Sequence, residues 1–287
     1  MDGIVIVDKP AGWTSQDVVS KLRGVLHTRR IGHGGTLDPM ATGVLPVFVG
    51  RATRAVEFFE HAEKTYETVL RLGITTDTED ISGEVLQHSE VAVSEADFLG
   101  ILPKFRGEIQ QIPPMYSALK INGQKLCDLA RKGKEVARQP RTITIHSLEC
   151  LEFTGETARL RVHCSKGTYI RTLCKDIGAA LGCGGCMESL RRVTAGAYTI
   201  EKAVSLQTLI ESDAPEQYLL PIDSMFTAYP AITLTENQEK RCRNGGSFTC
   251  NLADGTYRAY GKNGKFLALV KAESATLSTI KSFFAVE

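Results

Sequence analysis

Asp38 is the residue whose surroundings in the sequence best suit chemistry. It lies in residues 32–46, where glycines, prolines and threonines surround this one carboxylate. Glycine permits backbone geometry that a side chain forbids, and Pro39 favours an extended conformation for Asp38. The pattern predicts a rigid loop that presents Asp38 between the basic pair at 29–30 and an apolar strand over 44–49. An Asp-Pro turn, in which the aspartate bonds its own backbone, accounts for the same residues.

Two groups of basic residues are candidates for contact with a phosphate backbone. The first group precedes Asp38 and consists of Arg29, Arg30 and His33. The second group forms the most concentrated positive region and consists of Lys120, Arg131, Lys132, Lys134, Arg138 and Arg141. Cations position RNA without reading its sequence, so a mobile, thumb-like insertion that orders on RNA is one interpretation. A solvated basic helix and loops are the other.

The composition is that of an ordinary soluble protein. The chain has 287 residues, of which 43% are hydrophobic and 23% charged, with a formal net charge of +1. Global charge therefore does not indicate a nucleic-acid binder, and any RNA surface must come from local clustering. The apolar run at residues 4–7 is too short for a signal peptide, and no later run is long enough to span a bilayer. We expect a cytoplasmic protein.

Eight cysteines are scattered without a regular framework, which is typical of reduced thiols. Cys183 and Cys186 form the one close pair. Such a pair can begin a zinc site or act in redox chemistry, but zinc needs two more ligands and no second close pair follows. The sequence gives metal binding little support.

Hydrophobic periodicity predicts the elements that position Asp38. Strands are expected at residues 3–7, 64–73, 141–152 and 158–165. A helix is expected from Gln16, capped by Thr14 or Ser15, and another from Ser94. The polar, acidic segment 75–83 is expected to be a surface loop, since its spacing does not fit a calcium loop.

The segment at 34–46, Gly-Gly-Thr-Leu-Asp-Pro-Met-Ala-Thr-Gly-Val-Leu-Pro, resembles the catalytic motif of the TruB family of tRNA pseudouridine synthases. Further segments at 9–15, 64–66, 111–120 and 166–172 resemble this family in the expected order. The resemblance covers almost the whole chain, although its most specific motifs end near residue 192. It implies that Asp38 is the catalytic aspartate.

The same resemblance implies roles for other residues. Tyr66 would stack on the uracil, and His33 would occupy the space left by the flipped target base. Arg171 would pair with the carboxylate of Asp38 and keep it ionised, with Tyr169 as a neighbouring active-site residue. Leu190 would pack against the target base. Taken without the resemblance, Tyr66 is an ordinary sheet tyrosine, Leu190 an ordinary core residue and Arg171 a surface arginine at a helix start.

We expect an α/β (mixed α+β) fold with two domains. Residues 1–228 would form the pseudouridine synthase catalytic domain, built on a mixed β-sheet with flanking helices and carrying a basic insertion near 105–141. Residues 229–287 would form a small β-rich domain, because glycine turns separate short apolar runs there. The resemblance implies that this is a PUA-like RNA-binding domain. The chain departs from the family at Cys127, where a tyrosine is often found.

The resemblance implies an RNA uridine isomerase that converts the T-loop uridine of tRNA to pseudouridine without cofactor or metal. Its partner would be the tRNA T-arm; we expect no membrane, no obligatory protein or guide RNA, and a monomer. One alternative is a non-catalytic RNA-binding or chaperone module. Another is a hydrolase with Asp38 as nucleophile, but the glycines lack the P-loop pattern.

Overall fold

The computed structural model describes residues 1–121 and 123–285, and only the backbone of Lys125. In chain order, the strands are β1 (Gly3–Lys9), β2 (Ile31–His33), β3 (Thr42–Val49), β4 (Lys64–Leu72), β5 (Ile74–Thr76), β6 (Val85–His88), β7 (Gly107–Gln111), β8 (Lys120–Ile121), β9 (Gln124–Lys125), β10 (Arg141–Phe153), β11 (Thr157–Cys164), β12 (Gly185–Ala195), β13 (Tyr198–Thr199), β14 (Val204–Ser205), β15 (Ala231–Thr233), β16 (Phe248–Thr249), β17 (Gly255–Tyr260), β18 (Phe266–Glu273) and β19 (Thr276–Ser282).

The α-helices are α1 (Ser15–Val25), α2 (Val56–Phe59), α3 (Glu95–Ile101), α4 (Leu126–Ala130), α5 (Ile170–Ala180), α6 (Leu206–Glu211) and α7 (Glu236–Arg243). Short 3-10 helices span Gly50–Ala55, Leu102–Phe105, Ile200–Lys202, Pro215–Tyr218 and Ile222–Phe226. Thr14 caps α1 through a capping box with Asp17, and Ser94 caps α3. Both predicted helix starts are confirmed, because each hydroxyl satisfies a backbone N–H that the first helical turn leaves unpaired.

The central sheet has the strand order β14-β1-β3-β12-β4-β11-β10-β7, with β2 on β3 and β13 on β12. It is mixed, because β1 runs parallel to β14 and β3 parallel to β12, whereas the other pairs are antiparallel. The close approach of β3 and β12 requires Gly43, whose φ is +102°; a Cβ there would lie 2.2 Å from the carbonyl oxygen of Arg192. The predicted mixed α/β architecture is confirmed.

Side-chain alternation on β1 shows why the sheet is buried on both faces. Val5 and Val7 point into one hydrophobic cluster with α1, whereas Ile4 and Ile6 point into a second cluster on the other face. Successive side chains of a strand point to opposite faces, so a strand covered on both faces has a continuous apolar run. The sequence run at 4–7 has this property.

The C-terminal residues form a second, five-stranded sheet in the order β15-β17-β18-β19-β16. Its own core includes Leu234, Leu267 and Leu277. Phe283 and Leu269 also pack into the same cluster as Phe226 of the preceding segment. The second sheet therefore shares a hydrophobic contact with the first part of the chain.

The basic region leaves the edge of the central sheet after β7 and returns at β10, since Gln111 pairs with Arg141. Between them lie the β8–β9 hairpin and the short helix α4. Across the described residues, no helix combines the length and hydrophobicity needed to cross a bilayer.

Candidate active site

Residues 34–41 form the predicted loop between β2 and β3, and side chains from distant segments bind its backbone. The hydroxyl of Ser15, in the first turn of α1, accepts a hydrogen bond from the N–H of Leu37 at 2.9 Å and donates to its carbonyl at 3.2 Å. The ammonium of Lys9 donates to the carbonyl of Pro39 at 3.2 Å. These bonds fix the backbone on both sides of Asp38.

The Asp-Pro turn and the exposed carboxylate are both present. The carbonyl of Asp38 accepts a hydrogen bond from the N–H of Ala41 at 3.1 Å, which closes a four-residue turn with Pro39 at its second position. The side chain of Asp38 is 32% exposed and points to Arg171. The turn is closed by backbone groups alone. The carboxylate, which in the alternative interpretation bonds its own backbone, contacts Arg171 instead.

Arg171, the second residue of α5, contacts both carboxylate oxygens of Asp38. Its Nε lies 2.9 Å from Oδ2, and its Nη2 donates to Oδ1 at 3.2 Å. Its side chain is 6% exposed. Planar guanidinium groups suit this two-point contact with a carboxylate. The arginine is thus a buried partner of Asp38 and not a surface residue.

Three further groups hold the guanidinium of Arg171. Nη1 donates to the carbonyl of Thr78 at 3.1 Å, and Nη2 donates to the carbonyl of Tyr116 at 2.8 Å. Nε also lies 3.8 Å from Oδ2 of the buried Asp80. The arginine therefore joins Asp38 to the β5–β6 connection and to the first residues of the basic insertion.

Burial governs the protonation of Asp38. Its pKa is raised above the ordinary value of 3.8 because burial disfavours the charged form, although Arg171 opposes this effect; Asp80 raises the pKa further and Lys9 lowers it. Arg171 therefore offsets only part of the effect of burial on the pKa of Asp38.

Lys9 is buried and supplies a second positive charge to the loop. Its ammonium donates to the carbonyls of Pro10 at 2.8 Å and Trp13 at 2.6 Å, besides that of Pro39. Burial lowers its pKa to about 8; Asp38 raises it and Arg192 lowers it. The Lys-Pro segment at residues 9–10 therefore binds the Asp38 loop directly.

Tyr66 and Leu190 lie on the same face of the central sheet. Tyr66 pairs with Arg192 across β4 and β12, and Thr68 pairs with Leu190 two positions along. Tyr66 is 9% and Leu190 8% exposed, and both belong to the cluster that contains Leu37. The sheet therefore brings the predicted pair of base-contacting residues together beside the Asp38 loop. Burial raises the pKa of Tyr66.

His33 ends β2, immediately before the Asp38 loop. Burial lowers its pKa, and Arg192 lowers it further. Among the described residues, its Nδ1 is buried without a hydrogen-bond partner. Tyr169 precedes α5, and its pKa is raised chiefly by burial, with a smaller raising effect from Asp38. Both residues therefore lie next to an element that holds the Asp38–Arg171 pair.

A family described as "TruB family pseudouridylate synthase (N terminal domain)" matches residues 23–170, and "tRNA pseudouridylate synthase B C-terminal domain" matches residues 171–227. A protein of Pseudomonas fluorescens named tRNA pseudouridine synthase B is 46% identical over 277 residues, covering 94% of this chain and 91% of the relative. The chain belongs to the TruB family.

A second relative and a solved structure agree with TruB membership. A tRNA pseudouridine synthase B of Clostridium kluyveri is 42% identical over 289 residues, covering 99% of this chain and 100% of the relative. A chain in the crystal structure of a Cbf5-Nop10-Gar1 complex superposes with a TM-score of 0.75 at 26% identity, covering 99% of this chain and 85% of that chain. The predicted membership of the TruB family is thereby confirmed.

In this TruB-family chain the predicted phosphate contacts fall into two classes. The residues Arg29, Arg30, Lys120, Arg131, Lys132, Lys134 and Arg141 are exposed. Arg138 is different: its side chain is 19% exposed, pairs with Glu135 and donates to the carbonyl of Pro113 at 3.1 Å. It therefore braces the basic insertion, whereas each of the other residues is open to a polyanion.

Three residues of the site were missed by the sequence reasoning: Lys9, Asp80 and Arg192. Lys9 and Arg192 stand inside segments that resemble TruB, whereas Asp80 lies in a stretch interpreted only as a polar loop. The only sequence feature that could have indicated Asp80 is an acidic residue in a turn-rich segment. Its position next to Arg171 depends on contacts between residues far apart in the chain.

The cysteine pair at 183 and 186 consists of free, buried thiols. Burial raises the pKa of Cys186 to about 11. Because the thiolate is the form that binds metals and attacks disulfides, this environment disfavours both activities at neutral pH.

Proposed function

We propose that this chain isomerises a uridine of tRNA to pseudouridine, with Asp38 as the catalytic residue. The observation that carries the proposal is that the carboxylate of Asp38 is one third exposed and is held by a two-point contact with Arg171. RNA binding alone does not require a partly desolvated carboxylate with a dedicated arginine. TruB family membership supports the assignment of this pair to a uridine isomerase.

The reaction leaves the elemental composition of the nucleotide unchanged. The bond between N1 of uracil and C1′ of ribose breaks, the base rotates, and C5 forms a new bond to C1′. The hydrogen displaced from C5 leaves to solvent, and N1 takes up a proton. Asp38 would act at the sugar, as a nucleophile or as a base, and in either role it must be ionised.

The remaining residues would hold the base and the charge. Tyr66 and Leu190 offer an apolar surface beside the loop, which suits stacking on a uracil removed from its stack. Arg171 orients Asp38 and offsets part of the cost of its burial. His33 would occupy the space that the flipped base leaves. Tyr169 would complete the side of the site at the start of α5.

We further propose that the substrate uridine is that of the T-loop and that the T-arm alone is sufficient. The exposed basic residues of the insertion and of the segment before Asp38 would contact its phosphates. Residues 229–287 would be a PUA-like domain that adds RNA contacts; the family matches end at residue 227. The protein would act in the cytoplasm as a monomer, without guide RNA.

Tritium release tests the proposed reaction. Unmodified tRNA labelled with tritium at C5 of uridine releases the label only when a bond forms at C5. We expect release by the parent protein from whole tRNA and from the isolated T-arm, and none from a tRNA whose T-loop uridine is replaced by cytidine. Absence of release from whole tRNA would overturn the isomerase; release from the cytidine tRNA would overturn the T-loop assignment.

A further inference from the structure

The side chain of Gln111 makes a paired contact with the backbone before α5. It is 2% exposed. Its Nε2 donates to the carbonyl of Tyr169 at 3.0 Å, and its Oε1 accepts from the N–H of Tyr169 at 2.8 Å. The side-chain amide of Gln111 thus pairs with both backbone groups of Tyr169, as the backbone of a neighbouring strand would. Arg171 follows two residues later.

Gln111 also stands where the basic insertion begins. It is the last residue of β7 and pairs with Arg141, the first residue of β10. Residues 112–140 leave and re-enter the sheet at this one pair. A displacement of the insertion at the point where it leaves the sheet would therefore move Gln111, which binds the backbone of Tyr169.

A second contact links the insertion to the same helix end. Nη2 of Arg171 binds both Oδ1 of Asp38 and the carbonyl of Tyr116, at 3.2 and 2.8 Å. Tyr116 belongs to the insertion, five residues after Gln111. The insertion is thus joined to Arg171 at its root through Tyr169 and further along through Tyr116.

We infer that Gln111 is a positioning residue that couples the RNA-contacting insertion to the Asp38–Arg171 pair. It holds the start of α5 so that Arg171 meets both oxygens of Asp38 when the insertion is seated on RNA. This inference rests on the proposed function. It concerns the rate of the chemical step, whereas the proposed function concerns whether the step occurs at all.

Gln111→Met tests this role, because methionine has a similar length but neither donates nor accepts here as an amide does. The N–H of Tyr169 then loses its partner and its C=O keeps only the bond from the N–H of Leu173, so the start of α5 shifts. A misplacement of this kind costs about tenfold to a hundredfold in rate. We expect a single-turnover rate at saturating tRNA reduced by about tenfold or more, with tRNA affinity close to that of the parent.

The pH profile separates positioning from a general loss of fold. The titratable and charged groups facing Asp38 are Arg171 from α5, Asp80 from the β5–β6 connection, Lys9 from β1, Tyr66 from β4 and Tyr169 before α5. If Arg171 moves away, the carboxylate loses its main stabilising charge and its pKa rises. The acid limb of the rate profile should therefore move to higher pH in Gln111→Met. Partial unfolding would lower the rate without moving the limb.

Gln110→Met is the matched control. Gln110 is the adjacent glutamine, is exposed, and donates to the hydroxyl of Thr142 at 2.8 Å. We expect its rate and its acid limb to equal those of the parent. Thermal unfolding of each variant shows whether the variant is folded.

Gln111→Glu keeps the test decisive if Gln111→Met fails to fold. The carboxylate still accepts from the N–H of Tyr169 but turns an oxygen, in place of the donor, towards its carbonyl, so we expect a loss of rate with tRNA affinity retained. A folded Gln111→Met or Gln111→Glu with the rate and acid limb of an active parent would overturn the inference. An inactive parent would instead overturn the proposed function.

Discussion

Replacing Arg171 by lysine separates the shape of its guanidinium from its charge. Arg171 makes two close contacts with Asp38 and donates to the carbonyls of Thr78 and Tyr116. Lysine keeps the positive charge but has one compact ammonium group on a different stem, so it cannot reproduce the fork. The carbonyls of Thr78 and Tyr116 and one carboxylate oxygen of Asp38 would then need water or new partners.

The size of the effect follows from these contacts. A hydrogen bond to a charged group contributes about 1.5–3 kcal/mol. The carboxylate of Asp38 is 32% exposed, so water replaces part of each lost contact. We therefore expect Arg171→Lys to lose about 2 kcal/mol of transition-state stabilisation, which corresponds to about thirtyfold in rate.

The assay is the single-turnover rate across pH at saturating tRNA, with tRNA affinity measured in parallel. The pKa of Asp38 is already raised by burial. Removing the charge in Arg171→Ala raises it further, so the rate of that variant should recover partly as pH rises. Arg161→Lys is the control: Arg161 also meets a carboxylate, that of Glu67, with two nitrogens, at 3.2 and 2.7 Å, but its side chain is 46% exposed. Exposed pairs contribute little, so this variant should match the parent.

A rate of Arg171→Lys equal to that of the parent would refute the reasoning. So would a loss that weaker tRNA binding explains completely, because the contacts described are with Asp38 and not with a ligand.

Two further outcomes are expected. Asp80→Asn removes the charge that raises the pKa of Asp38, so the acid limb of its rate profile should move to lower pH; a limb that stays in place would show that Asp80 does not act on Asp38 through charge. Replacing Lys132 and Lys134 by glutamine should weaken tRNA binding and reduce the slope of log affinity against log salt by about one to two. Arg23→Gln, on the exposed face of α1, is the control. An unchanged slope would show that these lysines are solvated surface residues that do not contact phosphates.

Local patterns in the sequence predicted several long strands, two helix starts and the Asp38 loop. The apolar run in β1, the cap at Thr14 and the strand ending at Val49 depend on neighbouring residues, so periodicity and cap chemistry suffice. The resemblance then singled out Tyr66 and Leu190, and strand pairing placed them on the same face. This outcome depends on register, which no local pattern gives.

The electrostatic environment of the site was not predictable in the same way. Asp80 acts behind Arg171 through a fold that joins residues distant in the chain, and Lys9 turns inward to bind carbonyls. Arg138 was grouped with exposed cations, but it contacts Pro113. A charged side chain looks the same in a sequence whether it faces solvent or binds a backbone, and only the fold distinguishes the two cases.

Tritium release by Asp38→Asn tests the central claim most directly. The amide preserves the shape of the side chain and removes the charge that either chemical role requires. We expect tRNA binding close to that of the parent and no release above the uncatalysed background over many parent turnovers. Release at a substantial fraction of the parent rate, by a preparation verified to contain asparagine at position 38, would contradict the assignment of Asp38 as the catalytic residue.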